Sequence, residues 1–585
     1  MIPLVLFITK RRKIVQKLIK QRPPLTSVTL SENPLLNRLY QSRGINSVQE
    51  LERSLQYLYR PQQLANIEQA VSLLIDAFKQ QSRIVIVGDF DADGATSTAL
   101  TILALRQLGF KNVDYLIPDR FSQGYGLSVA VAEMVLAKGA DLVITVDNGI
   151  SSFEGIALLK LHHIKVLVTD HHLPAETLPN ADAMVNPNLA DCSFPSKSLA
   201  GVGVAFYVML ALRSQMREAQ LFSLKEPNLA ELLDLVALGT VADVVPLDHN
   251  NRILVHQGLT RIRSGHCRAG IRALAEVSKR ELSSLQAGDL GFAIAPRLNA
   301  AGRLENMSLG VELLIAENME IARQLAFELD SLNQTRKEFE QEMKTEALAI
   351  CANLPSLMQK DQAHGIALYQ ADWHQGVIGI LASRIKDQFH RPVIAFAQES
   401  ENSEYLKGSA RSIAGLHMRD LLERIDVKHP NLIVKFGGHA MAAGLTIHQN
   451  NFLKFQHIFD EVIDEIIAPE QLQGVIYTDG ELSSNELNIH IAELLQKAGP
   501  WGQSFPEPLF EGEFKILQQR ILGGKHLKLM VEQPFGGLFD AIWFNADLRI
   551  FPDLSIKSAR LIYKLDINEF KGNKNLQLRI ENIVI

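Results

Sequence analysis

The hydrophobic pattern of the first 250 residues alternates between two kinds of segment. Short aliphatic runs occupy 83–88, 113–118, 141–147 and 164–170. Unbroken runs of this length predict strands buried on both faces. Between them, 94–108 and 128–139 carry apolar residues at helical spacing. That alternation predicts βαβ units and a parallel sheet. Residues 317–352 then predict one long charged helix without internal proline or glycine, the kind that bridges two domains. Residues 363–465 return to α/β character, with Val393-Ile-Ala-Phe-Ala397 as one strand. After 470 the pattern changes to short strands at 513–522, 526–532, 538–545, 558–568 and 575–585, with a helix near 485–498. Five uneven strands predict an OB-type barrel.

The aliphatic runs end in chemistry. The first leads into Gly88-Asp89-Phe90-Asp91-Ala92-Asp93-Gly94, three carboxylates at the carboxyl end of a strand. Taken alone, this segment fits a divalent-metal cluster and a solvated Asp-Gly turn equally well. The run at 141–147 ends in Asp147-Asn148-Gly149, and that at 164–170 in Asp170-His171-His172. Open parallel sheets bind ligands outside the carboxyl ends of their strands, so these groups share one edge. Imidazole among carboxylates suits a transition metal. His162-His163 precede the last of these strands and are expected on the opposite edge, as surface residues. Asp243 follows an apolar helix ending near Gly239, and its flanks Val241, Ala242, Val244 and Val245 predict a buried carboxylate. A metal, a helix cap or an ion pair would each satisfy it. Gly201-Val-Gly203 lacks the third glycine of a nucleotide loop and is set aside.

Composition narrows the setting. A chain of 585 residues, 47% of them hydrophobic, can fill two to four domain cores. The net charge of −6 excludes coating of nucleic acid by overall basicity but leaves room for local basic grooves. Cys192, Cys267 and Cys351 lie far apart without zinc-ligand spacing, as expected of reduced thiols in a cytoplasmic protein. The apolar stretch at residues 1–9 is too short to span a bilayer, and its basic residues follow rather than precede it. Residues 1–34 are therefore expected to form a disordered extension with no membrane role, a basic amphipathic anchor being the lesser alternative. In the tail, Phe535, Phe539, Trp543, Phe544 and Tyr563 could stack on bases, although most are expected to fill a barrel interior.

Asp89-Phe-Asp91-Ala-Asp93-Gly-Ala-Thr, Val-Asp147-Asn-Gly-Ile, Asp170-His171-His172, Gly-Thr-Val-Ala-Asp243, Asn299-Ala-Ala-Gly-Arg303 and Gly437-Gly-His439-Ala-Met-Ala-Ala-Gly444 occur in that order. Together they resemble the RecJ family of single-strand-specific exonucleases, within the DHH phosphoesterase superfamily. The likeness runs from about residue 35 to the C-terminus. It implies a parallel-sheet DHH domain at 35–316, a connecting helix at 317–352, an α/β DHHA1 domain at 353–466 and an OB-fold domain at 467–585 that grips single strands.

The resemblance also implies two divalent metal ions, Mn2+ or Mg2+. Asp89 and Asp91 would complete one site and Asp93, His171 and Asp243 the other, with Asp147 bridging. His172 would contact the scissile phosphate or protonate the leaving oxygen, and Asp170 would orient an imidazole. Arg120, Arg297, Asn299, Arg303, Ser409, Arg411 and His439 are candidate substrate contacts, each open to a structural reading as an ion pair or turn. The implied activity is 5′-to-3′ hydrolysis of single-stranded DNA to mononucleotides in recombination and repair. A cleft between the first two domains would thread the strand. A monomer working with single-strand-binding protein and a DNA helicase is expected, and deletion of 470–585 should weaken long-substrate binding more than chemistry. A DHH phosphodiesterase for short oligonucleotides or cyclic dinucleotides is the nearest rival, and a non-catalytic replication scaffold of the same fold is the other.

Overall fold

A computed structural model describes residues 17–222, 225–353, 363–546, 548, 551–570 and 572–585. The chain divides into two compact units. One comprises Gln21–Asn333 with Thr478–Ile585; the other gathers residues up to Lys20 with Gln334–Tyr477. The first half of the expected extension, residues 1–16, lies outside the described residues. Leu18–Gln21, also expected to be disordered, is instead a strand paired with Val475–Thr478. Pairing supplies backbone partners that sequence pattern alone did not reveal.

The larger unit is built on a five-stranded parallel sheet. In spatial order its strands are Val113–Leu116, Ile84–Val87, Leu142–Val146, Lys165–Thr169 and Ala183–Val185. Every residue of Ile84–Val87 and Leu142–Val146 is buried, which is why those runs read as continuously apolar. Helix Ala92–Gln107 follows the first aspartate cluster and is buried almost all round. Its hydroxyls stay satisfied inside the core because Thr96, Thr98 and Thr101 donate to carbonyls one turn back. Helices Gly201–Glu218 and Leu233–Ala242 pack against it.

The C-terminal strands Phe510–Leu522, His526–Glu532, Leu538–Trp543, Asn573–Val584 and Ser558–Phe570 close a barrel in that order. The barrel sorts the candidate aromatics. Tyr563 is 1% exposed in its core, and Phe539 and Trp543 pack against that core. Phe535 and Phe544 remain 87% and 48% exposed.

Barrel and sheet belong to one unit but keep separate apolar cores. Phe505 joins the apolar cluster around the parallel sheet, whereas Leu35 and Leu39 of helix Pro34–Gln41 join the barrel cluster. Cutting the chain at 470 would therefore uncover Leu35 and Leu39 and remove Phe505 from the core of the sheet.

The smaller unit holds a mixed sheet in the order Lys435–Gly438, Ala442–His448, Tyr405–Arg411, Val393–Gln398 and Ile366–Tyr369. Only its last two strands run parallel. The long polar helix is Met319–Asn353, with the division between units falling at 333/334.

Candidate metal centre

Three loops leaving the carboxyl ends of the parallel strands, together with one helix end, converge on a single cluster. Asp91 caps helix Ala92–Gln107, accepting from the N–H groups of Asp93 and Gly94 at 2.9 and 3.0 Å. The cap turns Asp93 inward, where it is 1% exposed. There its carboxylate accepts from the N–H groups of Gly201 and Val202 at 2.6 and 3.0 Å. The glycine pair set aside from sequence is thus a helix N-terminus that holds a protein carboxylate instead of a phosphate. Asp147 adopts a left-handed conformation at φ 62° and is 2% exposed.

The ligand atoms of Asp89, Asp91 and Asp147 lie within 4.8 Å of one another, as do those of Asp93, His171 and Asp243. Asp147, His171 and His172 form a third such group. His171 Nε2 stands 3.1 Å from Asp147 Oδ1 and 3.5 Å from Asp243 Oδ2. Despite the short distances, all three atoms are buried without a correctly angled hydrogen bond. Angle outweighs distance here, so these three atoms are left unsatisfied. Asp243 is less buried than its flanks predict, with 22% of its side chain exposed, because it stands at the C-terminal cap of Leu233–Ala242; its Oδ2 is nonetheless buried.

Electrostatics points the same way. Burial, then repulsion from Asp91, pushes the Asp89 carboxyl well above the usual range. Burial and Asp93 do the same to Asp147, and burial and Asp93 to Asp243. Asp93 is pushed up to about 7 by burial and Asp91, against the two N–H donors. Burial and the charge of His172 lower His171 to about 4, leaving a neutral imidazole of the kind that ligates metals. A cluster so costly without a cation, with orphaned oxygen and nitrogen donors facing inward, fits divalent ions held by mixed carboxylate and imidazole ligands.

His172 has the opposite character. Its Nδ1 lies 2.7 Å from Asp170 Oδ1. Burial lowers its pKa, but Asp170 more than offsets this and raises it to about 9. With 35% of the side chain exposed, that rise depends on the Asp170 contact. Asp170 is itself 1% exposed; burial would raise it, yet His172 and the N–H of Ile150 hold it below the usual range.

The remaining sequence candidates divide. Arg120 is exposed and stacks its guanidinium 4.6 Å from the Phe90 ring centroid, and its charge reaches Asp89. Arg297 does not face the cluster as a free donor. It is 8% exposed, paired with Asp330 at 2.8 Å, and donates to the Ala293 carbonyl. Asn299 accepts from the N–H of Ala92 at 2.9 Å, bracing the aspartate loop. Gly302 in the same motif lets the chain pass Phe90, since a Cβ there would sit 1.7 Å from its carbonyl oxygen. The Asn-Ala-Ala-Gly-Arg motif is therefore largely a buttress, with Arg303 half-buried in its last turn. In the smaller unit Arg411 donates to Ser409 Oγ at 3.1 Å on one strand, beside Gly379. His439 is exposed at the turn after Lys435–Gly438. His162 and His163 are exposed at the start of their strand.

Sequence reading missed three supports. Asn186 and Asn188 donate to the carbonyls of His172 and His171 at 2.9 and 2.6 Å, fixing the histidine pair. They follow Ala183–Val185, a strand too short to notice; the carboxyl-edge rule would have found them. Tyr125 places its hydroxyl 3.4 Å from His172 Nε2. Gly201 is the third. A Cβ there would lie 2.5 Å from Asp147 Cβ. Gly201→Ala should displace Asp147 by about 1 Å and lower kcat about a hundredfold, measured by nucleotide release from single strands. Unchanged turnover would show that the contact can relax.

Comparison with known proteins places the cluster in context. Residues 83–240 match the DHH family, N-terminal domain; 362–465 match the DHHA1 domain; 478–582 match the RecJ OB domain. The chain is 63% identical over 573 residues to the single-stranded-DNA-specific exonuclease RecJ of Haemophilus influenzae, covering 97% of this chain and 99% of that one. To its namesake in Escherichia coli it is 58% identical, covering 94% and 96%. Its structure is similar to the crystal structure of RecJ in complex with Mn2+ from Thermus thermophilus, with a TM-score of 0.78 at 28% identity, covering 97% of this chain and 79% of that one.

Proposed function

This chain belongs to the single-stranded-DNA-specific exonuclease RecJ family, and on that premise we propose that it hydrolyses single-stranded DNA from the 5′ end to mononucleotides. The observation that carries the reading is the set of buried, unsatisfied donors from Asp147, His171 and Asp243 amid three further carboxylates, Asp89, Asp91 and Asp93. A scaffold that had lost chemistry would have no reason to bear that electrostatic cost. When bound, divalent Mn2+ or Mg2+ ions supply Lewis acidity that activates water and draws charge from the phosphate.

The chain's own groups divide the remaining work. Asp89, Asp91 and Asp147 would hold one ion and Asp93, His171 and Asp243 the other. His172, kept protonated by Asp170, donates to the phosphate or to the departing 3′ oxygen as the P–O bond breaks. Arg120 lies on the same edge and offers its guanidinium to a phosphate. Arg303, Ser409, Arg411 and His439 extend the list of candidate strand contacts. The enzyme would act as a cytoplasmic monomer that cooperates with a helicase and single-strand-binding protein in recombination and repair. Among the described residues no helix is long and apolar enough to cross a membrane.

The test is digestion of single strands labelled at either end. With Mn2+ present, the 5′ label should appear at once as mononucleotide while the 3′ label stays in shortening fragments, and chelation should stop both. Release of the 3′ label first would reverse the polarity. Cleavage confined to dinucleotides would favour the small-substrate rival.

A further inference from the structure

We propose that Val244 is a substrate-contacting residue, an apolar shelf for the sugar and base beside the phosphate that the cluster holds. The proposal rests on the single-strand exonuclease reading above. Helix Leu233–Ala242 ends with Asp243 as its cap, and Val244 follows in the left-handed conformation at φ 61°. Its N–H returns to the Val241 carbonyl at 3.3 Å, as in a helix-terminating turn. That position normally takes glycine, because a Cβ clashes there, most severely when it is branched. Twelve described residues other than glycine have positive φ, and Val244 is the β-branched one.

The side chain also gains nothing from burial, being 62% exposed. Strain and exposed apolar surface thus coincide one residue from Asp243, whose Oδ2 points into the cluster. Glycine would remove both costs. A residue that is unfavourable to the free protein on two counts, at the edge of the chemistry, is explained if something apolar covers it during the reaction. The substrate supplies such a surface, since the phosphates of a single strand alternate with deoxyribose C–H groups and base faces. The rim continues past it: a Cβ on Gly291 would lie 3.3 Å from Val241 Cγ1, which brings Phe292, 90% exposed, to the same helix end.

Val244→Gly and Val244→Ile test the assignment in the full-length protein. The glycine variant should melt about 2–4 °C higher, because the strain is gone. Its KM for single strands should rise roughly fivefold as one apolar contact is lost, with kcat and the Mn2+ concentration for half-activity unchanged. The isoleucine variant should keep the parent KM. A lower melting temperature with unchanged KM would make Val244 a structural residue and overturn the proposal. A Mn2+ requirement that rises in step with KM would also overturn it, because Val244 would then act through Asp243. Failure of the parent protein to degrade single strands would instead remove the functional reading beneath it.

Discussion

Asp147→Asn should lower hydrolysis of single-stranded DNA about a thousandfold or more while leaving the fold intact. Asparagine suits the test because it tolerates the left-handed conformation at φ 62°, which alanine would strain. Asp147 is within reach of both ligand sets: its oxygen groups with Asp89 and Asp91, and His171 Nε2 lies 3.1 Å from it. No neighbour can replace it without moving a strand end. In the absence of metal the variant should melt no lower than the parent, since a neutral amide relieves the repulsion by Asp93, Asp91 and Asp243. Added Mn2+ should raise the parent melting temperature and shift the variant much less. Normal turnover by the variant would sink the metal assignment outright, and a large loss of stability without metal would mark Asp147 as structural.

Asp479→Ala should destabilise the larger unit by about 3–5 kcal/mol, because it leaves a buried guanidinium unpaired. Arg43 has none of its side chain exposed and Asp479 only 1%. The two meet in a fork at 3.0 and 3.1 Å, with Arg22 on the same carboxylate at 3.0 Å and the Leu509 N–H at 2.9 Å. Arg43 also donates to the Pro506 carbonyl and lies 5.1 Å from the Trp501 ring centroid. These contacts join the segment leading into the barrel to the turn that follows helix Pro34–Gln41. Urea unfolding followed by tryptophan fluorescence should show a lower midpoint with the slope preserved. A change below about 1 kcal/mol would mean that the guanidinium reaches water or another partner.

This junction ties the tail to the N-terminal part of the same unit. Its five strands were legible because alternation within a barrel is local, and all five start and end within three residues of their expected limits. Its fusion to the sheet was not. Arg22 and Arg43 are ordinary surface-type residues in sequence, and only the fold brings Asp479 to them across more than 430 positions.

The same division runs through the candidate site. Unbroken aliphatic runs ending in Asp89, Asp147 and Asp170-His171-His172 specify buried parallel strands and place those groups at one edge, because strand direction and side-chain period are properties of the local chain. The sequence by itself thus determined the fold class and the edge of the sheet at which the carboxylates and imidazoles gather. Distances, orientation and partners were decided by packing. Arg297 was drawn away by Asp330, Asn299 became a brace for Ala92, and a discarded glycine pair became the cradle of Asp93. Each depends on what a distant element brings within hydrogen-bond reach, and no spacing along one segment carries that information.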